Sequence, residues 1–533
     1  MSIRKWALGL LLVLASAGAA FAANSKVVLT FQNDISTLDP AIGYNWDNWS
    51  MIQAIFDGLM TYKPGTTELV PALATSYDIS GDGLTYTFTL RQGVTFTDGE
   101  PFDAQDVKYS FERMLNPATQ SPGVGFYTGI QGAQAFIDGK AKDVSGIEVL
   151  SPTQVRFTLT AADATFLNKL ALNFSFVVPP KAVEKWGKDF GHHPVGTGGF
   201  SMQEWVPGQR LVLVKNPNYF VPDEPKVDEI EYQFGVDPNV AFLRLQRGEV
   251  DILGDGIPSS QFAKVMSDPK LKQQVVSSDQ IETSFVSLNT TTKPFDSVEV
   301  RQALNMAIDR SQVLRVINNR AGAANQILPP TMPGYNPDFK GFPYDPAQAK
   351  QMLAKAGYPD GFSTTLYTSN VDPNPRIAQV IQQQLAQIGV KVDIRSLSPS
   401  AVIDAAGQGK APMVWSGGMA WLDDYPDPND FWWPILGCDS AVPGGWNWPR
   451  YCNKELDAQG LKADAMVQPS QHDARIALWK DIFTKASQDA PWIPLFNERS
   501  YVMHSPRMGG VGFKVAGIYT PVNYKEIAIV QGQ

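Results

Sequence analysis

The 533 residues carry 44 Lys+Arg against 53 Asp+Glu, a formal charge of −9 with a pI near 5.1, and the length allows three or four domains. An apolar fraction of 44% excludes a disordered chain, and the acidic balance excludes a dedicated nucleic-acid binder, which neutralises phosphates with a basic surface. Four histidines (His192, His193, His472, His504) and two cysteines (Cys438, Cys452) argue against a multi-histidine metal enzyme.

Residues 1–22 read as a secretory signal rather than as fold. Arg4 and Lys5 form a positive n-region, residues 8–15 an apolar run, and Ala20-Phe21-Ala22 offers small residues where a signal peptidase reads. The run is short for a bilayer span, and an N-terminal membrane anchor is the competing reading. The mature chain is expected to start at Ala23 with no cysteine near the cut, hence with no lipid anchor, and to reside in the periplasm.

Further along, LTYTFTL at residues 84–90 alternates strictly, and Gly81-Asp82-Gly83 before it reads as a hairpin turn. GTGGF at residues 196–200 lacks the spacing of a dinucleotide fingerprint and reads as a tight turn. His192-His193 reads as a solvated loop, since adjacent side chains diverge. Residues 282–288 and 390–394 look like strands. Asp296 with Glu299 resembles a capping box, followed by one apolar face at Val300, Leu304, Ala307 and Ile308. Asp345-Pro346 is an N-cap with a first-turn proline, and Gly357 ends that helix. Pro375 opens a third helix with the stripe Ile377, Val380, Ile381, Leu385 and Ile388, stopped by Gly389. Helix and strand repeating after residue 296 predict an α/β lobe.

Catalytic patterns are missing: no Gly-Lys pair continues into Ser or Thr as a P-loop does, and there is no G-x-S-x-G, H-E-x-x-H or C-x-x-C. Asp423, Asp424, Asp427 and Asp430 lack the glycine-centred pattern of a calcium loop. In an oxidising compartment an even cysteine count suggests a Cys438–Cys452 disulfide, closing a loop rich in Pro, Gly and Trp; two free thiols are the alternative. Six of the 13 tryptophans (Trp415, Trp421, Trp432, Trp433, Trp446, Trp448) fall within residues 415–448. Tryptophan beside Asp424 and Asp427 supplies an apolar wall with a charge at its end, which suits a small amphiphilic ligand in a cleft.

Several long motifs then occur in order. Leu38-Asp39-Pro40-Ala41, the stretch PALATSYDISGDGLTYTFTLRQGVTFTDGEPFDAQDVKYSFER (71–113), PVGTGGF (194–200), NPNYF (216–220), LQRGEVDI (245–252), RQALNMAIDR (301–310) and YDPAQAKQMLAKAGYPDGF (344–362) resemble the periplasmic dipeptide- and oligopeptide-binding proteins, solute-binding protein family 5 of ABC importers. Gly199 departs from that family's usual proline. The resemblance covers nearly all of the mature chain.

It implies an α/β bilobal periplasmic-binding-protein fold of the cluster C type, with a hinge and a smaller extra domain. Lobe I would comprise residues 23–65, 185–285 and 496–533, the extra domain 66–184, and lobe II 286–495. It also implies binding without turnover, no cofactor, no metal, no nucleic acid, a monomer, and a membrane permease as partner. Peptide-binding members carry a tryptophan followed three positions later by an aspartate that pairs with the peptide's α-ammonium; Trp421 and Asp424 fit that pattern. The resemblance places ligand contacts at Asp34, Ile35, Ser36, Gly418, Met419, Ala420, Trp421, Leu422, Asp424 and Asn497, with the backbone around 420–422 receiving an extended peptide as an added strand. Thr368 stands where dipeptide receptors hold an arginine for the ligand carboxylate, which favours a longer peptide or a ligand without a carboxylate. An oligosaccharide, an opine or another amphiphile on the same fold is the alternative ligand, a metal chelate a further one, and a secreted hydrolase the reading from another class.

Overall fold

The computed structural model describes residues 25–44, 46–417, 421–514 and 521–530. The expected leader (1–22) and the site residues Gly418, Met419 and Ala420 lie outside the described residues.

Three sheets organise the chain. The first runs in the order Ile252–Leu253, Lys26–Thr30, Glu229–Gln233, Arg210–Lys215, Phe200–Val206. Lys26–Thr30 lies parallel to both neighbours, with Val27 paired to Ile230. Val27 and Leu29 point into a core with Phe56, Leu211, Leu213 and Tyr232. The GTGGF stretch meets this unit differently from the expected turn. It presses backbone to backbone on the end of the helix Trp46–Ile55, where Gly198 N donates to Ile55 O at 2.8 Å. A Cβ at Gly198 would sit 2.4 Å from the Ile55 carbonyl carbon, so only glycine allows the approach.

The second sheet is antiparallel, in the order Ala74–Ile79, Thr85–Leu90, Gln154–Thr158, Ile147–Ser151. The alternation of TYTFTL sends Tyr86, Phe88 and Leu90 inward. Gly83, at φ 74°, closes the hairpin by donating to Ser80 O. The helix Ala104–Leu115, started by an Asp103/Asp106 capping box, shares this core through Val107, Phe111 and Met114.

The third sheet is mixed: Gly322–Ala323, Trp492–Asn497, Glu282–Leu288, Met413–Trp415, Ser363–Ser369, Lys391–Leu397, with Trp421–Leu422 paired to the start of Glu282–Leu288. Ser363–Ser369 runs parallel to both neighbours, as the helix–strand repeats predict. The expected Asp296 cap is corrected by one residue. Ser297 is the N-cap of Val298–Met306, accepting from Val300 N and donating its hydroxyl to Glu299. Asp345 caps Pro346–Lys355 as expected. Asn374–Ala386 buries Ile377, Ile381 and Leu385, with Val380 half-buried.

Two strands carry the chain between the first and third sheets. Val275–Asp279 continues into Glu282–Leu288, and Trp492–Asn497 into Arg499–Met503; Val275–Asp279 and Arg499–Met503 pair antiparallel. At the junction Gln280 N donates to Glu498 O at 3.1 Å. Glu282 is buried there, and burial followed by the charge of Glu498 pushes its carboxyl well above the ordinary range. On the far side, the second-sheet unit touches the third through Ala164 N to Asp464 O (2.9 Å) and Gln468 Nε2 to Ser80 O (3.2 Å). Among the described residues no helix is long and apolar enough to cross a membrane.

Candidate binding cleft

A cavity of 960 Å³ opens between the second-sheet unit and the segment that follows Trp421. Pro122, Phe126, Asp163 and Lys169 form one wall, Trp421, Asp424, Tyr425, Trp433, Trp446 and Asp464 the other, and Tyr44 reaches in from the first-sheet unit. The segment 421–432 is held from both ends. Trp421 and Leu422 pair with Thr283 and Glu282 as a short antiparallel strand. Asp427 caps the helix Pro428–Trp432, accepting from Asn429 N at 3.0 Å, and Pro428 follows as the first helical residue. Between these anchors the chain folds back, so that Asp430 Oδ2 accepts from both Trp421 Nε1 (3.2 Å) and Asp424 N (3.0 Å). One carboxylate thereby fixes the indole and the backbone of the next acidic residue.

The four aspartates of this loop are all buried but differ in partners. Asp427 is chelated by Arg475 through two bonds of 2.7 Å. Asp424 has no cation partner among the described residues; its Oδ1 accepts from the Tyr44 hydroxyl at 2.8 Å. Burial, partly offset by that hydrogen bond, raises its pKa to about 7. Asp430 is pushed up by burial and then by the Asp424 charge. Asp423 is 3% exposed, neither carboxyl oxygen has a hydrogen-bond partner among the described residues, and burial with the adjacent Asp424 raises it likewise. Among the described residues three carboxyl groups thus stand together without a counter-ion, an arrangement that a cation entering the cleft would relieve.

The disulfide Cys438–Cys452 is formed and closes the loop carrying Asp439 and Trp446. Trp446 packs edge-on against Trp421 at 6.1 Å and stacks on Trp448 at 5.7 Å. The tryptophan-rich segment divides into two sets. Trp415, Trp432 and Trp448 are buried, whereas Trp421, Trp433 and Trp446 face the cavity.

Residues 68–442 match the family model described as "Bacterial extracellular solute-binding proteins, family 5 Middle". The chain belongs to the bacterial extracellular solute-binding proteins of family 5. Among its relatives, the glutathione-binding protein GsiB of Salmonella paratyphi A is 34% identical over 517 residues, 95% of each chain. Among solved structures, the Helicobacter pylori periplasmic binding protein DppA in complex with peptide STSA superposes with a TM-score of 0.77 at 29% identity, covering 95% of this chain and 99% of that one. The Escherichia coli murein tripeptide binding protein MppA gives a TM-score of 0.75 at 26% identity, covering 96% and 99%. The three-sheet architecture is accordingly the bilobal α/β fold of family 5.

Of the residues singled out in the sequence, Trp421 and Asp424 line the cavity together. Leu422 lies beside them in the strand but is not part of the lining. Asp34 is turned to structure: its carboxylate accepts from Ile35 N at 2.8 Å and Gly208 N at 2.6 Å. Ile35 is buried in the first-sheet core, and Ser36 is exposed; none of the three lines the cavity. Asn497 donates to Glu282 O and Thr283 Oγ1, both at 2.9 Å, bracing the strand on which Trp421 pairs. Thr368 is fully buried, its hydroxyl donating to Ser369 O. His192 is exposed and His193 half-buried, as a solvated segment requires, but neither ring is without a partner. Each stacks on its own tryptophan, Trp205 at 4.5 Å and Trp186 at 3.5 Å. Tyr44, Phe126, Asp163 and Asp464 carried no local signal, since their role comes from contacts between distant segments.

Proposed function

We propose that this family 5 protein is the peptide-capturing receptor of an ABC importer, with Asp424 as the anchor for the ligand's α-ammonium. The observation that carries the reading is Asp424 itself: a buried carboxylate on the cavity wall, facing an apolar indole, with a phenol rather than a cation as partner. An ammonium would supply the charge this site lacks. The GsiB relatives are named for glutathione and the DppA neighbour holds the peptide STSA, two ligands with free amino termini. Trp421–Leu422 pairs on one edge with Glu282–Thr283, so an extended ligand could add on the other edge as a further strand.

In this reading lobe I comprises residues 23–65, 185–285 and 496–533, lobe II 286–495, and residues 66–184 form the extra domain. The lobes close by rotation about the two crossings at Gln280 and Glu498, where few residues need to absorb the motion. Ligand drives closure only through its preference for the closed arrangement, in which Tyr44 and Asp424 meet across the cleft. The chain acts without turnover and without a cofactor, as a periplasmic monomer released from its leader at Ala23, and hands its ligand to a membrane permease. Native mass spectrometry of the protein as purified tests this directly. A retained peptide is the expected result; a retained sugar or opine, with no peptide bound in a calorimetric panel, would overturn the peptide ligand.

A further inference from the structure

The cleft holds more carboxyl groups than one ammonium can satisfy. Five carboxylic residues line the cavity: Asp163, Asp424, Asp430, Asp439 and Asp464. Lys169 is the single cation among the lining residues, and it is spent on Asp163 at 2.7 Å. Arg475 lies behind the wall, 3.6 Å from Asp464, but its hydrogen bonds go to Asp427 and to the Ala463 carbonyl. With an α-ammonium on Asp424, and Asp430 bound to Trp421 and to the Asp424 backbone, Asp439 and Asp464 still face the cavity.

Asp464 shows what is missing. Its Oδ2 accepts from Asn429 Nδ2 (2.7 Å) and Trp433 Nε1 (2.6 Å), which hold the carboxyl at the wall. Its Oδ1, in a residue only 9% exposed, lies 3.6 Å from Arg475 Nη2, an ion pair too long to be a hydrogen bond. An unmatched buried acceptor of this kind is costly unless a donor arrives. Asp439 is exposed at the same rim, and Trp446, with 45% of its surface open, stands beside it on the disulfide-closed loop. Indole faces with carboxylates behind them are the surroundings that a guanidinium or an alkylammonium prefers, since its stem packs on the rings and its charge meets the acids.

We propose that this pocket receives a cationic side chain on the ligand's first residue, so that the protein selects peptides beginning with Lys or Arg. The inference rests on the peptide reading above and narrows its substrate class. It also sets this chain apart from a glutathione receptor. The γ-glutamyl group of glutathione carries a carboxylate on the same carbon as its ammonium, and that carboxylate would enter a wall of like charge.

Calorimetric titration with Lys-Ala-Ala, Arg-Ala-Ala, Ala-Ala-Ala, Glu-Ala-Ala and glutathione tests it. Lys- and Arg-first tripeptides are expected to bind at least about tenfold tighter than Ala-Ala-Ala, with Glu-Ala-Ala and glutathione weakest. The ratio between Lys-Ala-Ala and Ala-Ala-Ala should shrink with added NaCl, as screening of a partly open site requires. It should also shrink in Asp439→Asn and in Trp446→Ala, two exposed positions whose replacement leaves the core intact; unchanged thermal unfolding of both variants verifies that. Equal affinities across the panel, or a preference for Glu-Ala-Ala or glutathione, would overturn the inference while the peptide receptor stands. If no tripeptide binds, the peptide reading falls and this inference with it.

Discussion

Asp424 and Asp427 stand three residues apart in one buried loop, and the fold treats them oppositely. Asp427 receives both arms of the Arg475 guanidinium and caps a helix. Asp424 receives one phenol hydroxyl, from a residue 380 positions away in the chain, and faces a cavity. A buried carboxylate with its own cation is part of the scaffold, because removing either partner strands the other. In the proposed reading, a buried carboxylate on the cavity wall without one takes its charge partner from the ligand. Burial alone therefore does not separate the two aspartates; the presence or absence of a cation partner does.

The sharpest test of that division exchanges the two aspartates' fates. Asp424→Asn should lower the affinity for peptides with a free amino terminus by about 100- to 5000-fold, the equivalent of about 3 to 5 kcal/mol for a desolvated pair that loses one partner. Its unliganded thermal unfolding should be unchanged or slightly later at neutral pH. Asp427→Asn should do the reverse, costing about 3 to 5 kcal/mol of stability by stranding Arg475, visible in denaturant titration of the unliganded protein. If Asp427→Asn instead left stability intact and abolished binding, the assignment of the two roles would be reversed.

A second group of predictions follows from the raised pKa of Asp424, about 7 against an ordinary carboxyl near 4. A carboxyl whose folded pKa is raised binds its proton more tightly in the native state. The stability this provides is complete below about pH 4 and is lost as pH rises towards and through 7. Unliganded protein should therefore lose stability across that window, and Asp424→Asn should flatten the slope. Peptide binding has the opposite sign, because an ammonium needs the ionised form. Affinity should weaken by up to about tenfold per pH unit below 7, measured by calorimetry in buffers of different ionisation heat to count the proton released.

The smallest effect belongs to Tyr44→Phe. The hydroxyl favours the ionised form of Asp424, so its loss should move the midpoint of the binding pH profile upward. It should also weaken binding near pH 7 by no more than about tenfold, in keeping with about 1 kcal/mol for one hydrogen bond. A loss as large as that of Asp424→Asn would mean that Tyr44 itself holds the ligand.

The features legible in the amino-acid sequence were local or repeated. The alternation of residues 84–90, the Asp345-Pro346 cap, the stripe from Ile377 to Leu385 and the cysteine pair were all legible, because periods of two and 3.6 residues and caps one to three residues long need no distant partner. The ordered motifs were enough to reveal the family, and Trp421 with Asp424 emerged from them. Tertiary structure decided which acid met a cation. Asp427 and Arg475 are 48 residues apart in the chain, and Tyr44 and Asp424 are 380 apart. It turned the Asp34 carboxylate to Gly208, 174 residues away, and placed Asp163 and Asp464 on one cavity. Charge compensation depends on distances of about 3 Å in space, and neither composition nor spacing along the chain encodes those.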